Sequence, residues 1–251
     1  MARAGRSGVD VPVVSMFSYW DKPDHAPIAE FMSEWRGYFS DFRTLGDSDI
    51  EGMILEYFPQ YLEVFRRIRI PTCKSDIAIL LGLYCLGGLY VDCHCGVRDA
   101  EGVVDMLADR QHWEVILYNK SFDSEPRPGD VLRPLNSVLV ARRFSPIMWQ
   151  SAALAFRNLW NHWESEQQTH EHVPYDIWTM TGPGVLEHTI CIPSQAMWGF
   201  PLGLRPEHAG TVRFIQEGPD APIVRYRHYS YSSPVAHWSQ RQTVERLFRD
   251  E

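Results

Sequence analysis

The amino-acid sequence predicts an α/β fold in which a mostly parallel central sheet is flanked by helices. Short apolar runs of strand length alternate along the chain with amphipathic segments of helical period. A Gly-Gly pair at 87–88 joins a helix pattern to an apolar strand, and Ser145-Pro146 opens a long apolar helix. Sheets of this kind bind ligands outside the carboxyl ends of their strands.

The first part of the chain predicts one strand and two helices, which cover residues 11–18, about 48–58 and about 60–69. The strand delivers Trp20 to its carboxyl end. Ser48 and Glu51 form a capping-box pattern ahead of the first helix, which ends near Pro59.

The middle of the chain predicts a helix, a tight turn and a strand in close succession. Residues 72–75 offer capping groups for the helix, and Gly87-Gly88 ends it. The apolar run 89–91 suits a central strand. This strand would place Asp92 and His94 at its carboxyl end.

Further elements follow after residue 100, and they are predicted as strands over 115–118 and 137–141, a helix from 145 to about 163, and a short helix after Gly182-Pro183-Gly184. The loop 121–136 is rich in Pro, Asp and Gly and is interpreted as a mobile lid. The polar stretch 164–174 is expected to end the long helix. The tail 221–240 has no clear periodicity.

Composition bounds the class of protein. A chain of 251 residues with 45% hydrophobic residues predicts one domain over 1–251, with residues 1–9 disordered. The net charge of −8 argues against nucleic acid and anionic membranes as partners. No apolar run approaches the ~20 residues of a membrane span, and the start lacks the apolar core of a signal peptide. A cytoplasmic protein without a membrane span is therefore expected.

The five cysteines are odd in number and lack the spacing of a disulfide framework, so reduced thiols are expected. The sequence also lacks a nucleophile elbow, a Walker loop, a dinucleotide fingerprint and a His-Glu-x-x-His helix. The sequence therefore disfavours hydrolase and oxidoreductase functions.

The end of the central strand carries groups suited to metal-assisted sugar transfer. Residues two apart in an extended segment point to one side, so Asp92 and His94 can face the same ion while Cys93 points away. A divalent cation that bridges both phosphates of a nucleotide-sugar stabilises the leaving diphosphate. The imidazole shifts the preference from Mg²⁺ towards Mn²⁺.

The same stretch resembles the DXD-motif sugar-transferase family, which includes the yeast outer-chain-initiating α-1,6-mannosyltransferase and the glucosyltransferase domains of large clostridial toxins. Its hallmark is S-D-x-x-R, an apolar helix, and G-G-x-Y-x-D-x-D. Ser75-Asp76 matches the start, 87–92 match the core, and His94 stands at the second aspartate. The resemblance implies a GT-A fold, transfer with retention of anomeric configuration, and Asp76 as the group that binds donor sugar hydroxyls.

Weaker similarities lie outside this core. By resemblance, Trp20 stacks on the nucleotide base, and Asn136 matches an asparagine that precedes a later strand and contacts the donor. The tail around His228 and His237-Trp238 is similar to an ending that closes over metal and diphosphate. This implies His237 as a metal ligand and Trp238 as a donor contact.

Two departures and several alternatives remain open. The family's arginine is Ile79 here, and its second aspartate is His94. Asp76 is also consistent with a simple helix-terminus charge, and Trp20 with a core residue. Cysteines 73, 93 and 95 with His94 suggest an alternative structural zinc cluster.

The expected function is transfer of a sugar from a UDP- or GDP-sugar to an acceptor, which is a glycan, a lipid-linked sugar or a small-molecule natural product. The alternative is a nucleotide-sugar-binding module, or a degenerate transferase without turnover.

Overall fold

The computed structural model describes residues 14–120, 132–192, 203–226 and 237–250. Its strands are β1 Met16–Tyr19, β2 Arg43–Leu45, β3 Gly88–Val91, β4 Cys95–Val97, β5 Val115–Asn119, β6 Pro134–Ala141, β7 Val212–Gln216 and β8 Ile223–Arg225. Its α-helices are α1 Ala29–Tyr38, α2 Asp47–Tyr57, α3 Leu62–Arg67, α4 Pro71–Leu86, α5 Ala100–Asp109, α6 Pro146–Thr169, α7 Ile177–Met180, α8 Pro183–Ile190 and α9 Trp238–Arg241.

Six strands form one mixed sheet in the order β2-β1-β3-β6-β5-β7. β1 pairs with β2 and β3 in parallel, and β5 pairs with β7 in parallel. β6 runs antiparallel to both of its neighbours, β3 and β5. The other five strands therefore end at one edge of the sheet, where β6 begins. We call this the carboxyl edge.

The sheet separates two apolar cores, and this confirms the mostly parallel α/β architecture. One core packs the sheet against α2, α3, α4, α6 and α8, and the other packs it against α1 and α5. Neighbouring residues of β5 alternate between them, since Leu117 joins the first core and Ile116 the second. All five residues of β5 are buried, as expected for a strand covered on both faces.

The predicted Gly-Gly turn is confirmed. Gly87 and Gly88 adopt φ angles of 64° and 91°, a region that favours glycine. A Cβ on Gly88 would lie 1.8 Å from the Ser15 carbonyl oxygen, so a side chain there would force β3 away from the segment before β1. The turn thus aligns the two strands that carry Trp20 and Asp92.

Several predicted boundaries are wrong for physical reasons. The cap of α2 uses Asp49, whose Oδ2 accepts from the Gly46 N–H at 2.8 Å, while Glu51 forms an ion pair with Arg66 instead of the predicted box with Ser48. The capping groups predicted at 72–75 lie inside α4, which begins at Pro71. Residue 70 precedes the helix without a side-chain cap, and the proline that follows it has no N–H that needs a partner. The second helix is shorter than predicted, and β2 and β7 were not predicted.

The long helix α6 was predicted to end near residue 163, and it continues to Thr169. Its polar end stays helical because Glu166 is fully buried against the C-terminal tail. The start of the first predicted strand and the first part of the predicted lid, residues 121–131, lie outside the described residues. The predicted lid also extended to 136, but residues 134–136 belong to β6.

None of the helices in the described part of the chain combines the length and the apolar character that a membrane crossing requires.

Candidate functional site

Asp92 lies at the carboxyl edge directly after β3. Its backbone N–H donates to the Ser137 carbonyl at 2.9 Å, which ties it to β6. The Tyr90 hydroxyl donates to Asp92 Oδ1 at 2.7 Å, and the Ser75 hydroxyl lies 3.2 Å from the Tyr90 oxygen. Because Tyr90 uses its proton on Asp92, Ser75 donates to Tyr90. This chain of hydrogen bonds fixes one carboxylate oxygen of Asp92 against the start of α4.

The other oxygen of Asp92 faces His94. Asp92 Oδ2 and His94 Nε2 lie 3.9 Å apart, and the two side chains are 23% and 19% exposed. Burial lowers the pKa of His94 below its usual value, against a smaller opposing effect of the Asp92 charge. The His94 carbonyl accepts from the Tyr226 N–H at 2.8 Å, which fixes the backbone at this position. The predicted pair therefore lies at the surface of the sheet edge.

Asp76 is placed differently, because it is only 3% exposed. The Asn136 amide donates to its Oδ1 at 2.7 Å, and the Thr181 hydroxyl donates to its Oδ2 at 2.8 Å. Burial raises the pKa of Asp76 to about 8; the Asp92 charge adds to this, and the two hydrogen bonds oppose it. The structure thus joins the predicted residues Asp76 and Asn136 directly.

Trp20 follows β1 at the same edge. Its backbone N–H donates to the Leu45 carbonyl at 2.9 Å, and its indole N–H donates to the Asp24 carbonyl at 2.8 Å. The Lys22 ammonium lies 5.8 Å from the centre of its ring. The ring is partly buried against the core that contains α1 and α5. It therefore combines a fixed orientation with partial access to solvent.

The tail residues are at the start of α9. His237 is exposed, and its Nδ1 caps α9 by accepting from the Ser239 N–H at 3.3 Å. Trp238 is partly buried against the core that contains α4 and α6. The tail is held to the rest of the chain by Gln242, whose Oε1 accepts from the Ile177 N–H at 2.9 Å. His228 lies outside the described residues.

Within the described ranges, no three His, Cys, Asp or Glu side chains come close enough to hold a metal ion. Asp92, His94 and His237 therefore do not converge on a site made of protein groups alone. The pair Asp92–His94 still fits a shared cation, since 3.9 Å is less than the ~4.2 Å that separates opposite ligands around Mn²⁺ or Mg²⁺. Such an open pair leaves most ligand positions to oxygens of a bound molecule.

The predicted zinc alternative does not fit this arrangement. Cys93 Sγ donates to the Tyr19 carbonyl at 3.5 Å, and Cys95 Sγ donates to the Ser137 carbonyl at 3.7 Å. Burial raises the pKa of both thiols, which opposes the thiolate form that zinc binds. Both cysteines are satisfied as buried thiols.

Sequence reasoning missed three side chains that shape the site. Tyr90 and Ser75 belong to the quoted motif, yet their role in orienting Asp92 depends on a contact between α4 and β3. Thr181 lies far along the chain from Asp76, and its only signal is its place before Gly182-Pro183. Ile79, which replaces the family's arginine, is 2% exposed and packs in the core.

Comparison with known proteins adds little to this geometry. The chain matches no family model and no curated protein. Among solved structures it is similar to a chain described as "PaToxG Glycosyltransferase", with a TM-score of 0.38 and 16% identity over 70% of this chain and 67% of that one. Because both values are low, we infer neither the fold family nor the function from this similarity.

Proposed function

We propose that this protein is a glycosyltransferase that moves a sugar from a nucleotide-diphospho-sugar to an acceptor hydroxyl. The observation that carries the proposal is the pairing of a partly exposed site with a buried one at the carboxyl edge. Asp92 and His94 are partly exposed there, whereas Asp76 lies buried on the preceding helix. Ligands of α/β sheets bind at this edge.

The open pair is proposed to hold Mn²⁺, or Mg²⁺, together with diphosphate oxygens of the donor. The Asp92 carboxylate lies at this edge, and its negative charge disfavours a bare diphosphate. A bound cation would offset the charge that develops on the leaving diphosphate. Tyr90 would keep Asp92 Oδ1 oriented and leave Oδ2 for this role.

Asp76 is proposed to accept hydrogen bonds from hydroxyls of the donor sugar. Each of its oxygens has one partner, Asn136 or Thr181, and a carboxylate oxygen can accept a second hydrogen bond. The Asn136 amide holds Asp76 in place, so its predicted donor contact is proposed to be indirect. A neutral amide and a hydroxyl orient the carboxyl group without supplying a countercharge.

The remaining roles rest on the resemblance to the DXD-motif family, within its central motif and outside it. Trp20 is proposed to stack on the base of a UDP- or GDP-sugar, and Trp238 and His237 to close over the bound donor. The GT-A fold type and retention of anomeric configuration have the same basis. The acceptor is proposed to be a glycan, a lipid-linked sugar or a small-molecule natural product.

Two observations favour a second candidate, a binding module or degenerate transferase without turnover. Asp76 is almost fully buried and already hydrogen-bonded through both oxygens. Ile79 lies in the core, where the family has an arginine, so the site lacks the paired N–H donors that a guanidinium would offer to the donor.

Calorimetry with UDP and GDP, each with and without Mn²⁺, tests the nucleotide site. A parallel assay measures release of UDP or GDP from a panel of UDP- and GDP-sugars, offered with and without acceptor sugars. Mn²⁺-dependent binding with release of the nucleoside diphosphate supports the transferase. Binding without release across the panel supports the binding module, and absence of binding contradicts both.

A further inference from the structure

An open cavity of about 500 Å³ lies at the surface between α6, α8 and the segment that leads into β7. Its volume falls within the ~300–1,000 Å³ that is usual for small-molecule sites. Such sites combine an apolar wall with a few polar groups that orient the ligand. The lining of this cavity has both parts.

The cavity lies at the opposite edge of the sheet from Asp92. β6 begins at the carboxyl edge and ends at the other edge, where the chain turns into α6. β7 begins at that same edge, because it is parallel to β5. Trp149, in the first turn of α6, and His208, just before β7, both line the cavity. The cavity is therefore separate from the candidate site described above.

The apolar part of the lining is a stripe of α6. Trp149, Ala153 and Arg157 are spaced four residues apart and so lie on one face of the helix, with Leu154 beside them. Trp149 stacks on Phe58 with ring centres 4.4 Å apart, which fixes the orientation of the indole. Trp149, Ala153 and Leu154 are only partly buried. This wall thus offers partly exposed apolar surface next to a guanidinium.

The polar part of the lining is held in place by backbone contacts. The Arg205 N–H donates to the Ile190 carbonyl at 2.9 Å, and Arg205 Nη2 donates to the His188 carbonyl at 3.0 Å. The Ser151 hydroxyl in α6 donates to the Thr189 hydroxyl in α8 at 3.1 Å, which ties together the two helices that frame the cavity. The guanidinium of Arg205 is therefore fixed relative to α8.

The charge of the lining is positive, although the chain has a net charge of −8. Arg157 and Arg205 contribute two permanent charges, and His188 and His208 add imidazole groups. Among the described lining residues, Glu207 is the one carboxylate, and it is exposed. Neither arginine forms an ion pair with a carboxylate of the described residues. Guanidinium groups without a carboxylate partner favour binding of an anion.

We propose that this cavity is a second binding site, which takes a small molecule with an anionic group attached to an aromatic or aliphatic part. Arg157 and Arg205 bind the anionic group, and the α6 wall covers the apolar part. Phosphate monoesters and carboxylic acids both have this chemistry. The inference does not rest on the proposed function, because the cavity shares no residue with the candidate site.

The test measures dissociation constants of the full chain by ligand-observed nuclear magnetic resonance. EDTA is present, so that metal-dependent binding at Asp92 does not contribute. Phenyl phosphate and benzoate carry both an anionic group and a ring, phenol carries the ring without the charge, and inorganic phosphate carries the charge without the ring. At least one of the two ring-bearing anions is expected to bind at ~5 mM or tighter, and at least ~5-fold tighter than phenol and inorganic phosphate.

Two variants test the arginines. Arg205→Gln is expected to weaken binding of the preferred anion at least ~5-fold, because hydrogen bonds to charged groups are the stronger ones. Arg157→Gln is expected to weaken it at least ~3-fold, a smaller effect because Arg157 is exposed and screened by salt. Arg157 makes no contact comparable to that of Arg205 with α8, so its variant provides the test if circular dichroism shows that Arg205→Gln is not folded.

Two further variants serve as controls. Arg43→Gln removes the same charge from an exposed position on β2, at the far end of the strand order from β7, and is expected to bind like wild type. Asp92→Asn is also expected to bind these probes like wild type. Loss of binding in Asp92→Asn would place the anion at the candidate site and overturn the inference.

The probes also decide between the two sources of the anion. Binding of phenyl phosphate alone supports a phosphate monoester as the ligand, and binding of benzoate alone supports a carboxylic acid. The inference is overturned if neither anion binds more tightly than phenol, or if inorganic phosphate binds as tightly as the better of the two. It is also overturned if both arginine variants bind like Arg43→Gln. Absence of Mn²⁺-dependent UDP and GDP binding would remove the proposed function and leave this result unchanged.

Discussion

Two regions of the molecule bury a carboxyl group, and they treat it in opposite ways. Glu166 in α6 is fully buried, and its oxygens accept from the backbone N–H groups of Leu247 and Phe248 at 2.7 and 3.2 Å. Arg246 Nε and His162 Nε2 lie within 3.5 and 3.2 Å of it. Asp76 is buried to a similar degree, but its two partners are neutral groups and its nearest charged influence is another carboxylate.

The pKa values follow this difference. Burial tends to raise the pKa of Glu166, but the hydrogen bonds from His162 and from the backbone of Leu247 and Phe248 outweigh it and lower the pKa below its usual value. For Asp76, burial dominates and raises the pKa to about 8. Glu166 is a structural anchor for the tail, whereas Asp76 has the perturbed pKa that is typical of functional sites.

The largest effect is expected at the anchor. Glu166→Ala leaves two buried backbone N–H groups and the nearby cation of Arg246 without their partner. We expect it to lower the free energy of unfolding at pH 7 by ~3–5 kcal/mol, as for loss of one member of a buried ion pair. Urea denaturation measures this. A loss below about 1 kcal/mol would show that the tail does not depend on this contact.

The second effect concerns the pH dependence of stability. Asp76 has a folded pKa of about 8 against 3.8 for the free group, so the folded state binds a proton that the unfolded state has lost between these values. The contribution of Asp76 to stability is therefore complete below about pH 4 and is lost as the pH rises to about 8, by on the order of a few kcal/mol.

Asp76→Asn should remove this loss, because its amide keeps the shape and can bond both Asn136 and Thr181. The measurement is the free energy of unfolding of wild type and variant at intervals from pH 5 to 9. The curves are expected to diverge with rising pH, with the variant more stable. Parallel curves would mean that Asp76 is ionised in the folded state at neutral pH, and the contrast with Glu166 would be lost.

The contribution of Glu166 to stability has the opposite pH dependence. Because its folded pKa is lowered, its contribution is present above the usual pKa of a glutamate and is lost as the pH falls below that value and through the folded pKa. Wild type should therefore lose stability in acid in a way that Glu166→Gln does not. Acid unfolding of both proteins, monitored by circular dichroism, checks this direction.

The smallest effect is expected for Asn136→Ala. The amide of Asn136 donates to Asp76, and such a bond is stronger when the acceptor is ionised. We expect a cost of about 1 kcal/mol at pH 6, where Asp76 is largely protonated, and about 2 kcal/mol at pH 9. An equal cost at pH 6 and pH 9 would mean that Asp76 does not change its protonation state between these two pH values.

The sequence predicted the fold class and the central segment well, and it predicted long-range contacts poorly. The Gly-Gly turn, β3 and the pair Asp92–His94 follow from local rules of turn chemistry and strand period. The end of α6 does not, because its polar final turns remain helical only through the contact of Glu166 with the tail.

The same limit applies to the site. Thr181 donates a hydrogen bond to Asp76 although 105 residues separate them in the chain. Lys74 in α4 donates to Asp47 in α2. The sequence gives no pattern for either contact. The short strand β2, which places Asp47 at the carboxyl edge, has three residues, too few to show a period.

The central claim is that Asp92 holds a cation that carries a diphosphate, and Asp92→Asn tests it most directly. Calorimetry with UDP and GDP in the presence of Mn²⁺ is compared for wild type, Asp92→Asn and Asp105→Asn, a matched loss of an exposed carboxylate on α5. We expect wild type and Asp105→Asn to bind equally, and Asp92→Asn to lose at least ~10-fold in affinity with its unfolding free energy within about 1 kcal/mol of wild type. Unchanged Mn²⁺-dependent binding in a folded Asp92→Asn protein would contradict the account.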